Sequence, residues 1–341
     1  MIAAERAGAI AGFLAAQGWA GAEPAPLAGD ASFRRYFRLA EGGRRAVLMD
    51  APPPEQEKLG AYIQVAVTLR RLGFSAPEIL AEDRDAGLLL IEDFGDDTFT
   101  RALAAGADEP ALYALAIDTL VALQRAVAAS GLPDLPPYDE ARLLFEVSLL
   151  PDWFAPAALG RRVPDAARAE YLAIWRELLA LALPDAATLV LRDYHVDNLM
   201  ILPGRAGVKG CGILDFQDAV LGAPAYDLVA LLEDARRDVP PALRAAMTER
   251  YLAAFPELDR AGFRRAAAIL AAQRNAKIVG LFVRLCQRDG KPAYLAHLPR
   301  VWRLLEADLA EPVLAPLRAW LDRHLPPPLR RLPERPPMSA A

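Results

Sequence analysis

Residues 189–202 read LVLRDYHVDNLMIL, and this stretch is the most informative about the fold. Two apolar runs, of the kind that form short buried strands, enclose a loop with five polar residues: Arg192, Asp193, His195, Asp197 and Asn198. Buried charges without partners are costly, so such a loop between core strands indicates a function that uses these groups. The next apolar run, CGILDF at 211–216, contains Asp215, seventeen positions after Asn198.

The order of these residues is the one that phosphoryl transfer uses. A loop Asp orients the acceptor hydroxyl and takes its proton, and a nearby Asn holds Mg²⁺ together with a later Asp. Mg²⁺ prefers carboxylate and amide oxygens, and its charge offsets the charge that develops on the transferred group. The spacing therefore predicts Asp193 as the catalytic residue and Asn198 and Asp215 as metal ligands. The alternative is a pair of hairpin turns capped by Asp and Asn.

Composition narrows the class of protein. Of 341 residues, 54% are hydrophobic and 24% charged, as in a folded globular chain, and the net charge of -5 gives no bulk attraction to nucleic acid or anionic membrane. Cys211 and Cys286 lack metal-ligand spacing, which favours buried thiols in a reducing compartment. The N-terminal residues favour a helix over a signal peptide, and no window resembles a membrane span. We expect a cytoplasmic protein that binds neither nucleic acid nor membrane.

The periodicity changes near residue 95. Before it, strands at 31–39, 44–51, 77–83 and 87–95 and one helix ending at Gly73 predict a small antiparallel sheet. After it, helical patterns dominate, at 110–129, 140–150, 165–183, 226–237, 241–254, 260–287, 293–310 and 313–324. We therefore predict an α+β fold with a sheet-bearing N-lobe at 1–94 and a mainly helical C-lobe at 95–325. Residues 326–341 are rich in Pro and Arg, and we expect them to be disordered.

The segments LRDYHVDNLMI and GILDFQDAVLGAPAYDLVALL resemble the core of the aminoglycoside phosphotransferase-like kinases, which share the two-lobed protein-kinase fold. The resemblance covers roughly residues 25–310. It implies that Asp193, His195 and Asn198 fill the family's Asp-x-His-x-x-Asn loop and that Asp215 binds the metal. It also implies that His195 and Asp227 brace this loop.

A closer resemblance joins DASFRRYFRL, AVLMDAPP, LLLIEDFGDDTF, RDYHVDNLM and QRNAKIVGLFVRLCQRDGKPAYLAHLPRVWRLLE to the cell-wall amino-sugar kinases of the AmgK type. It implies ATP-dependent phosphorylation of N-acetylmuramate and N-acetylglucosamine at the anomeric hydroxyl, in peptidoglycan recycling. Mg²⁺ would be the cofactor, ATP and an amino sugar the binding partners, and the protein a monomer. Two alternatives stay open: a kinase for an aminoglycoside, choline or homoserine, and a non-catalytic nucleotide-binding protein with a kinase fold.

One part of the kinase pattern is missing. Kinases normally place a Lys on the third strand, paired with a Glu on the adjacent helix, to hold the nucleotide phosphates. Here Met49 stands about where that Lys would be, and the helix reads AYIQVAV without a Glu. Arg34 or Arg35 could contact the phosphates instead, and strand alternation lets only one of them face the cleft. Alternatively, both are solvated charges.

Other nucleotide contacts follow from the resemblance. Ser32 and Phe33 precede the two arginines in the hairpin strand that would cover the nucleotide. Backbone groups of Glu92, Asp93 and Phe94 would bind adenine as a hinge segment, although this acidic cluster could also be a solvated linker.

The acceptor site is less well marked. Trp153 could stack on a sugar ring or belong to the core. Asp197 could bind substrate or cap a turn. A cation at Arg274 or Lys277 could receive the lactyl carboxylate of N-acetylmuramate, and Asn275 could bind the acetamido group. The alternative is that these three form the solvated face of a helix.

Overall fold

The structure, a computed structural model, describes residues 2–27, 34–53, 58–183 and 187–331. By compactness the chain divides into two units. The first comprises Met1–Ala126 and Val196–Ala219, and the second comprises Val127–His195 and Val220–Ala341. The chain passes between the units after residues 126, 195 and 219, and the second of these points lies inside the polar loop. The boundary of the lobes at residue 94 stays a prediction.

The strands are short, and the helices occupy most of the later chain. The strands are β1 Ala25–Pro26, β2 Arg35–Glu41, β3 Arg44–Asp50, β4 Ile79–Asp83, β5 Leu88–Ile91, β6 Thr188–Val190, β7 Leu199–Ile201, β8 Cys211–Ile213 and β9 Val220–Gly222. The α-helices are α1 Ile2–Ala16, α2 Leu59–Arg71, α3 Phe99–Ala104, α4 Glu109–Ser130, α5 Glu140–Leu149, α6 Ala155–Leu159, α7 Asp165–Ala182, α8 Ala225–Leu232, α9 Pro241–Ala253, α10 Arg260–Asp289, α11 Leu298–Asp308 and α12 Ala315–His324. Short 3-10 turns lie at Val196–Asn198, Gly207–Gly210, Pro292–His297, Pro312–Leu314 and Pro327–Leu329, and a π-helical turn lies at Leu150–Phe154.

The first unit contains an antiparallel sheet in the order β1-β2-β3-β5-β4. Strands β2 and β3 form the predicted hairpin, in register from Arg35 opposite Asp50 to Glu41 opposite Arg44. The two turn residues, Gly42 and Gly43, have φ of 57° and 80°. A two-residue hairpin turn of this type needs positive φ at both positions, which glycine adopts without steric cost. This confirms the predicted hairpin.

The two faces of this sheet have different neighbours. Residues directly opposite each other in an antiparallel pair share a face. One face, here called the α1 face, forms a core cluster with residues of α1 and the segment after it; the cluster contains Phe13, Leu14, Trp19, Leu39, Ala46, Leu48, Leu88 and Leu90. Tyr36 and the fully buried Met49 are directly opposite each other and lie on the other face.

Two small strand pairs flank the polar loop. Strand β6, before the loop, pairs with β9 in the second unit. Strand β7, after the loop, pairs with β8 in the first unit, with Leu199 opposite Ile213. The ladder continues one step further, because the Leu214 N–H donates to the Asn198 carbonyl at 2.9 Å. Asn198 and Leu214 are thus neighbours at one end of this pair.

Helix α10 is the central helix of the second unit and packs against α5, α7, α8 and α11. It passes very close to the end of α5. A Cβ atom at Gly280 would lie 2.1 Å from the carbonyl carbon of Leu149. Glycine is therefore required where the two backbones meet.

Two long helices differ from the expectation that no segment resembles a membrane span. Among the described residues, α4 and α10 are long and apolar enough to cross a membrane, with hydropathies of 1.4 and 1.3. Of the apolar window, 50% is buried in α4 and 72% in α10. Burial inside the protein accounts for the apolar composition of α10.

The predicted disorder of residues 326–341 is wrong for the first part of that segment. Residues 327–329 form a 3-10 turn, and Arg330 is 8% exposed. Its guanidinium lies 2.7 Å from Glu306 of α11 and 2.5 Å from Asp322 of α12. Composition alone does not show these distant acidic partners. Residues 332–341 lie outside the described residues.

Candidate active site

The backbone of the polar loop is held by a buried carboxylate. Asp227, in the first turn of α8, is 1% exposed. Its Oδ2 accepts the Leu191 N–H at 2.7 Å, and its Oδ1 accepts the Arg192 N–H at 2.9 Å. Arg192 has φ of 70°, a left-handed conformation that is costly for a residue with a side chain. Asp227 therefore fixes a strained backbone immediately before Asp193.

Burial raises the pKa of Asp227 to about 7, although the two backbone N–H groups act in the opposite direction. The nearby Asp193 raises this pKa further, and Arg274 lowers it. The ionised form suits the geometry, since each carboxylate oxygen accepts one N–H. Protonation near neutral pH would weaken one of these two hydrogen bonds.

The side chain of Arg192 is held as firmly as its backbone. It donates at 2.5 Å to Glu146 of α5. Glu146 also accepts hydrogen bonds from Tyr138 at 2.5 Å and Gln273 at 3.2 Å, and forms an ion pair with Lys277 at 3.3 Å. Burial alone would raise the pKa of Glu146, but Lys277 and Arg192 outweigh it and hold the pKa at about 2. Glu146 is therefore an anion that tethers the loop.

Glu146 is the main residue that the sequence analysis missed. A signal was present: Leu143, Glu146, Val147 and Leu150 follow the spacing of one helical face. An acidic residue within an apolar stripe is a sign of a buried charge with partners. Nothing in the local pattern identifies those partners as Arg192 and Lys277.

Asp193 and His195 lie on the tethered loop. Asp193 is half-buried; its N–H donates to the Leu191 carbonyl at 2.9 Å, and its carbonyl accepts the His195 N–H at 3.2 Å. His195 is 4% exposed, and its Nε2 lies 3.3 Å from the guanidinium of Arg236. Burial lowers the pKa of His195, although Asp234 acts against this. The imidazole is therefore mostly neutral at pH 7 and has a contact that orders it.

The two predicted metal ligands lie together in the first unit. Asn198 is the last residue before β7, and Asp215 follows β8 by two residues, so both lie beyond the same end of the β7–β8 pair. Asp215 has φ of 56°, the second left-handed residue with a side chain among the described residues. Its Oδ1 accepts from Gln217 at 2.8 Å and lies 3.4 Å from the guanidinium of Arg34.

This pair fits Mg²⁺ by its donor chemistry. An amide oxygen and a carboxylate are hard ligands, and Mg²⁺ commonly takes one or two protein ligands and completes its shell with phosphate oxygens and water. In the part of the chain that the structure describes, no group of three or more His, Cys, Asp or Glu side chains could hold a metal. Asn198 and Asp215 suit an ion that arrives with a nucleotide.

Arg34 and Arg35 have different partners, as strand alternation predicts. Arg35 donates to Asp50 at 2.9 Å on the α1 face, where Arg6 of α1 also binds this carboxylate, and its side chain is 54% exposed. The prediction of a nucleotide contact therefore does not hold for Arg35, because it is used on the other side of the sheet. Arg34 is 8% exposed and faces Asp215. Ser32 and Phe33 lie outside the described residues.

The predicted hinge segment is tied down by ion pairs. Asp93 has a 2% exposed carboxylate, 2.9 Å from Arg38 Nε and 3.0 Å from Arg45 Nε. The side chain of Glu92 pairs with Arg205, so this cluster is not a solvated linker.

The backbone of the hinge restricts one prediction. The Glu92 N–H donates to the Glu78 carbonyl at 2.9 Å, so an adenine contact from the backbone of Glu92 would have to come from its carbonyl oxygen. The guanidinium of Arg205 stacks over the ring of Phe94 at 5.2 Å. Adenine contacts from the Glu92 carbonyl and from the backbone of Asp93 and Phe94 stay a prediction.

The three predicted acceptor residues on α10 all have partners inside the second unit. Arg274, 4% exposed, donates to the Glu233 carbonyl at 3.0 Å. Asn275 is fully buried, and its amide nitrogen donates to Glu233 and to Asp308, both at 2.8 Å. Lys277 pairs with Glu146, as described above. Since α10 is surrounded by other helices, these polar groups bind partners inside the unit and do not form a solvated face. The buried Arg274 and Asn275 are used inside the unit, whereas a substrate contact from the half-buried Lys277 stays a prediction.

Two other acceptor candidates stay predictions. Asp197 accepts a hydrogen bond from the Thr100 hydroxyl, which ties the 3-10 turn Val196–Asn198 to α3. Trp153 is half-buried in the π-helical turn. Neither contact excludes or requires a sugar.

The chain is similar in sequence to known proteins. The profile of the APH family, described as a phosphotransferase enzyme family, matches residues 23–268. A protein of Caulobacter vibrioides is 40% identical over 97% of this chain and 99% of its own, and one of Pseudomonas aeruginosa is 40% identical over 89% of each. Both are named N-acetylmuramate/N-acetylglucosamine kinase.

Solved structures show the fold. The GDP complex of aminoglycoside 2'-phosphotransferase-IIIa superposes with a TM-score of 0.58 at 18% identity, covering 85% of this chain and 92% of the other. The ADP-bound aminoglycoside phosphotransferase APH(2'')-Ib gives a TM-score of 0.56 at 16% identity, covering 83% and 92%. These matches confirm the predicted kinase-like α+β fold. With the profile spanning more than half of its length and relatives at 40% identity, the chain belongs to the phosphotransferase enzyme family.

Proposed function

We propose that this phosphotransferase is an ATP-dependent amino-sugar kinase. It phosphorylates the anomeric hydroxyl of N-acetylmuramate and N-acetylglucosamine, in the cytoplasm, as a step of peptidoglycan recycling. The observation that carries the proposal is the similarity to four relatives, 36–40% identical over 80–97% of this chain, that all bear the name N-acetylmuramate/N-acetylglucosamine kinase. Aminoglycoside phosphotransferases share the fold at under 25% identity, which carries no information about the acceptor.

Asp193 is the proposed base. Its carboxylate accepts a hydrogen bond from the anomeric hydroxyl and takes the proton as the sugar oxygen forms its bond to the γ-phosphorus. The bond from that phosphorus to the bridging oxygen breaks, which leaves ADP and a sugar 1-phosphate. An anomeric hydroxyl is more acidic than an ordinary alcohol, so an aspartate suffices as the base. Asp227 and Glu146 support this role, because they hold the backbone N–H and the guanidinium of Arg192, the residue before Asp193.

Asn198 and Asp215 would hold Mg²⁺, as their oxygen donors and shared position beyond the β7–β8 pair suggest. When bound, the ion supplies positive charge that offsets the charge on the transferred group. His195 would order the loop through its contact with Arg236 and take no part in proton transfer. This leaves one titrating base in the proposed mechanism.

The test is ADP release with ATP and Mg²⁺ in the presence of each sugar. We expect turnover with both amino sugars, and none with their methyl glycosides, in which the anomeric oxygen is blocked. Asp193→Asn should lower kcat by about 10²- to 10⁴-fold, the typical contribution of a positioned base.

Each other outcome has a distinct meaning. Turnover of the methyl glycosides would place the phosphate on another hydroxyl. Activity on an aminoglycoside, choline or homoserine, with none on the amino sugars, would overturn the acceptor. A wild type that neither phosphorylates a sugar nor hydrolyses ATP would show a non-catalytic protein.

A further inference from the structure

In the first unit, the position of the usual phosphate-binding lysine holds no cation, and Arg34 lies on the same face of the sheet. Met49 of β3, about where kinases place the phosphate-binding Lys, is fully buried and directly opposite Tyr36 of β2. Tyr36 and Met49 lie on the face of the sheet away from α1. Arg34 is two residues before Tyr36, and alternation along an extended chain puts it on that same face. Arg35 points the other way, to Asp50.

Arg34 reaches the predicted metal ligand. Its guanidinium is buried, and its Nη2 lies 3.4 Å from Asp215 Oδ1. The residue after Asp215 is Phe216, whose ring stacks on Tyr62 of α2 at 4.9 Å. A buried guanidinium is stable only with well-placed anions. Charge-assisted hydrogen bonds are typically about 2.7–2.9 Å long, so this contact is not at its shortest.

We propose that Arg34 replaces the missing lysine and binds the phosphates of the nucleotide beside the ion held by Asn198 and Asp215. This rests on the proposed function in that ATP is the phosphoryl donor. A metal held by Asp215 would offset the charge of that carboxylate, and nucleotide phosphates bound to the same ion would bring anionic oxygens beside the Arg34 guanidinium, which lies 3.4 Å from Asp215. The planar guanidinium can bind two of these oxygens at once.

The test is to measure the affinity for ATP by titration calorimetry, with Mg²⁺ present and without sugar. Arg34→Gln should weaken ATP binding by about 10- to 100-fold, as expected for one charge-assisted contact, and leave adenosine binding unchanged. The matched control is Arg35→Gln, the neighbouring arginine on the α1 face, which should bind ATP like the wild type. Adding Met49→Lys to Arg34→Gln should recover part of the ATP affinity, because it returns a cation to the same face.

Unchanged ATP affinity in Arg34→Gln, or an equal loss for adenosine and ATP, would overturn the proposal. If Arg34→Gln does not fold, Arg34→Met, which keeps an apolar stem without the charge, decides: weaker ATP binding with adenosine unaffected supports the proposal, and unchanged ATP binding overturns it. The sugar assignment is judged separately. If ATP binding depends on Arg34 but the wild type phosphorylates neither sugar, the role of Arg34 is supported and the proposed acceptor is wrong. If the wild type phosphorylates the sugars but Arg34→Gln binds ATP as tightly as the wild type, the proposed acceptor is supported and the role of Arg34 is wrong.

Discussion

Arg192 shows at the scale of single residues how the loop is positioned. Its left-handed backbone costs on the order of 1–3 kcal/mol. Two contacts offset this cost: Asp227 accepts the backbone N–H of Arg192, and Glu146 binds its guanidinium. Lys277 supports Glu146 from α10. The proposed base therefore stands on a segment whose geometry depends on buried charges.

Glu146→Gln is the direct test of this network. It keeps the size of the side chain but leaves Arg192 and Lys277 buried without their anion, so we expect a loss of about 3–5 kcal/mol in the free energy of unfolding. If the protein folds, kcat should fall more than KM rises, because the loop moves and substrate contacts do not. Urea unfolding and steady-state kinetics measure both. The control is Glu140→Gln, also on α5 and 49% exposed, which should stay within about 0.5 kcal/mol.

The same carboxylate sets a pH dependence. The pKa of Glu146 is about 2 in the folded protein against 4.5 as its ordinary value. A lowered pKa stabilises the folded state above pH 4.5, and this stability is lost as the pH falls from 4.5 towards 2. The difference in unfolding free energy between wild type and Glu146→Gln should therefore shrink by about 3 kcal/mol over that window. A difference that stays constant with pH would show that Glu146 is not held as an anion.

At the scale of elements, the crossing of α10 and the end of α5 depends on one glycine. A Cβ at position 280 would meet the backbone carbon of Leu149 at 2.1 Å and its oxygen at 2.2 Å. Gly280→Ala must push the two elements apart, and we expect it to destabilise the protein by about 1–3 kcal/mol or more.

The control for that variant is Gly60→Ala in α2, where a Cβ would meet nothing within 4 Å. Alanine should stabilise a helix at such a position by about 0.5–1 kcal/mol. Thermal unfolding followed by circular dichroism compares the two. A Gly280→Ala protein as stable as the wild type would show that the crossing is looser than described.

Periodicity predicted the elements well and their environment less well. It placed a helix at 165–183, where α7 spans Asp165–Ala182, and the Gly-Gly turn located the β2–β3 hairpin. Periodicity did not predict the partners of the polar residues on α10, because Glu146, Glu233 and Asp308 come from distant segments of the chain. Motif spacing pointed to Asn198 and Asp215, which two neighbouring strands bring to one end of the β7–β8 pair, and the family resemblance pointed to Asp227. The tether at Glu146 depends on tertiary contacts that neither source predicts.

At the scale of the whole molecule, the chain crosses between the two units within the polar loop. Asp193 belongs to one unit and Asn198 to the other, five positions later. The fold alone does not decide the acceptor, since a gentamicin complex and a streptomycin complex match it at 14% identity. The acceptor assignment comes from relatives at 36–40% identity and needs a direct chemical test.

Phosphorus NMR of the product tests the central claim most directly. After incubation with ATP, Mg²⁺ and either amino sugar, we predict a new phosphomonoester signal coupled to the anomeric proton, which Asp193→Asn does not produce. A phosphate coupled to any other sugar proton, or signals of ADP and inorganic phosphate without a sugar phosphate, would contradict the account.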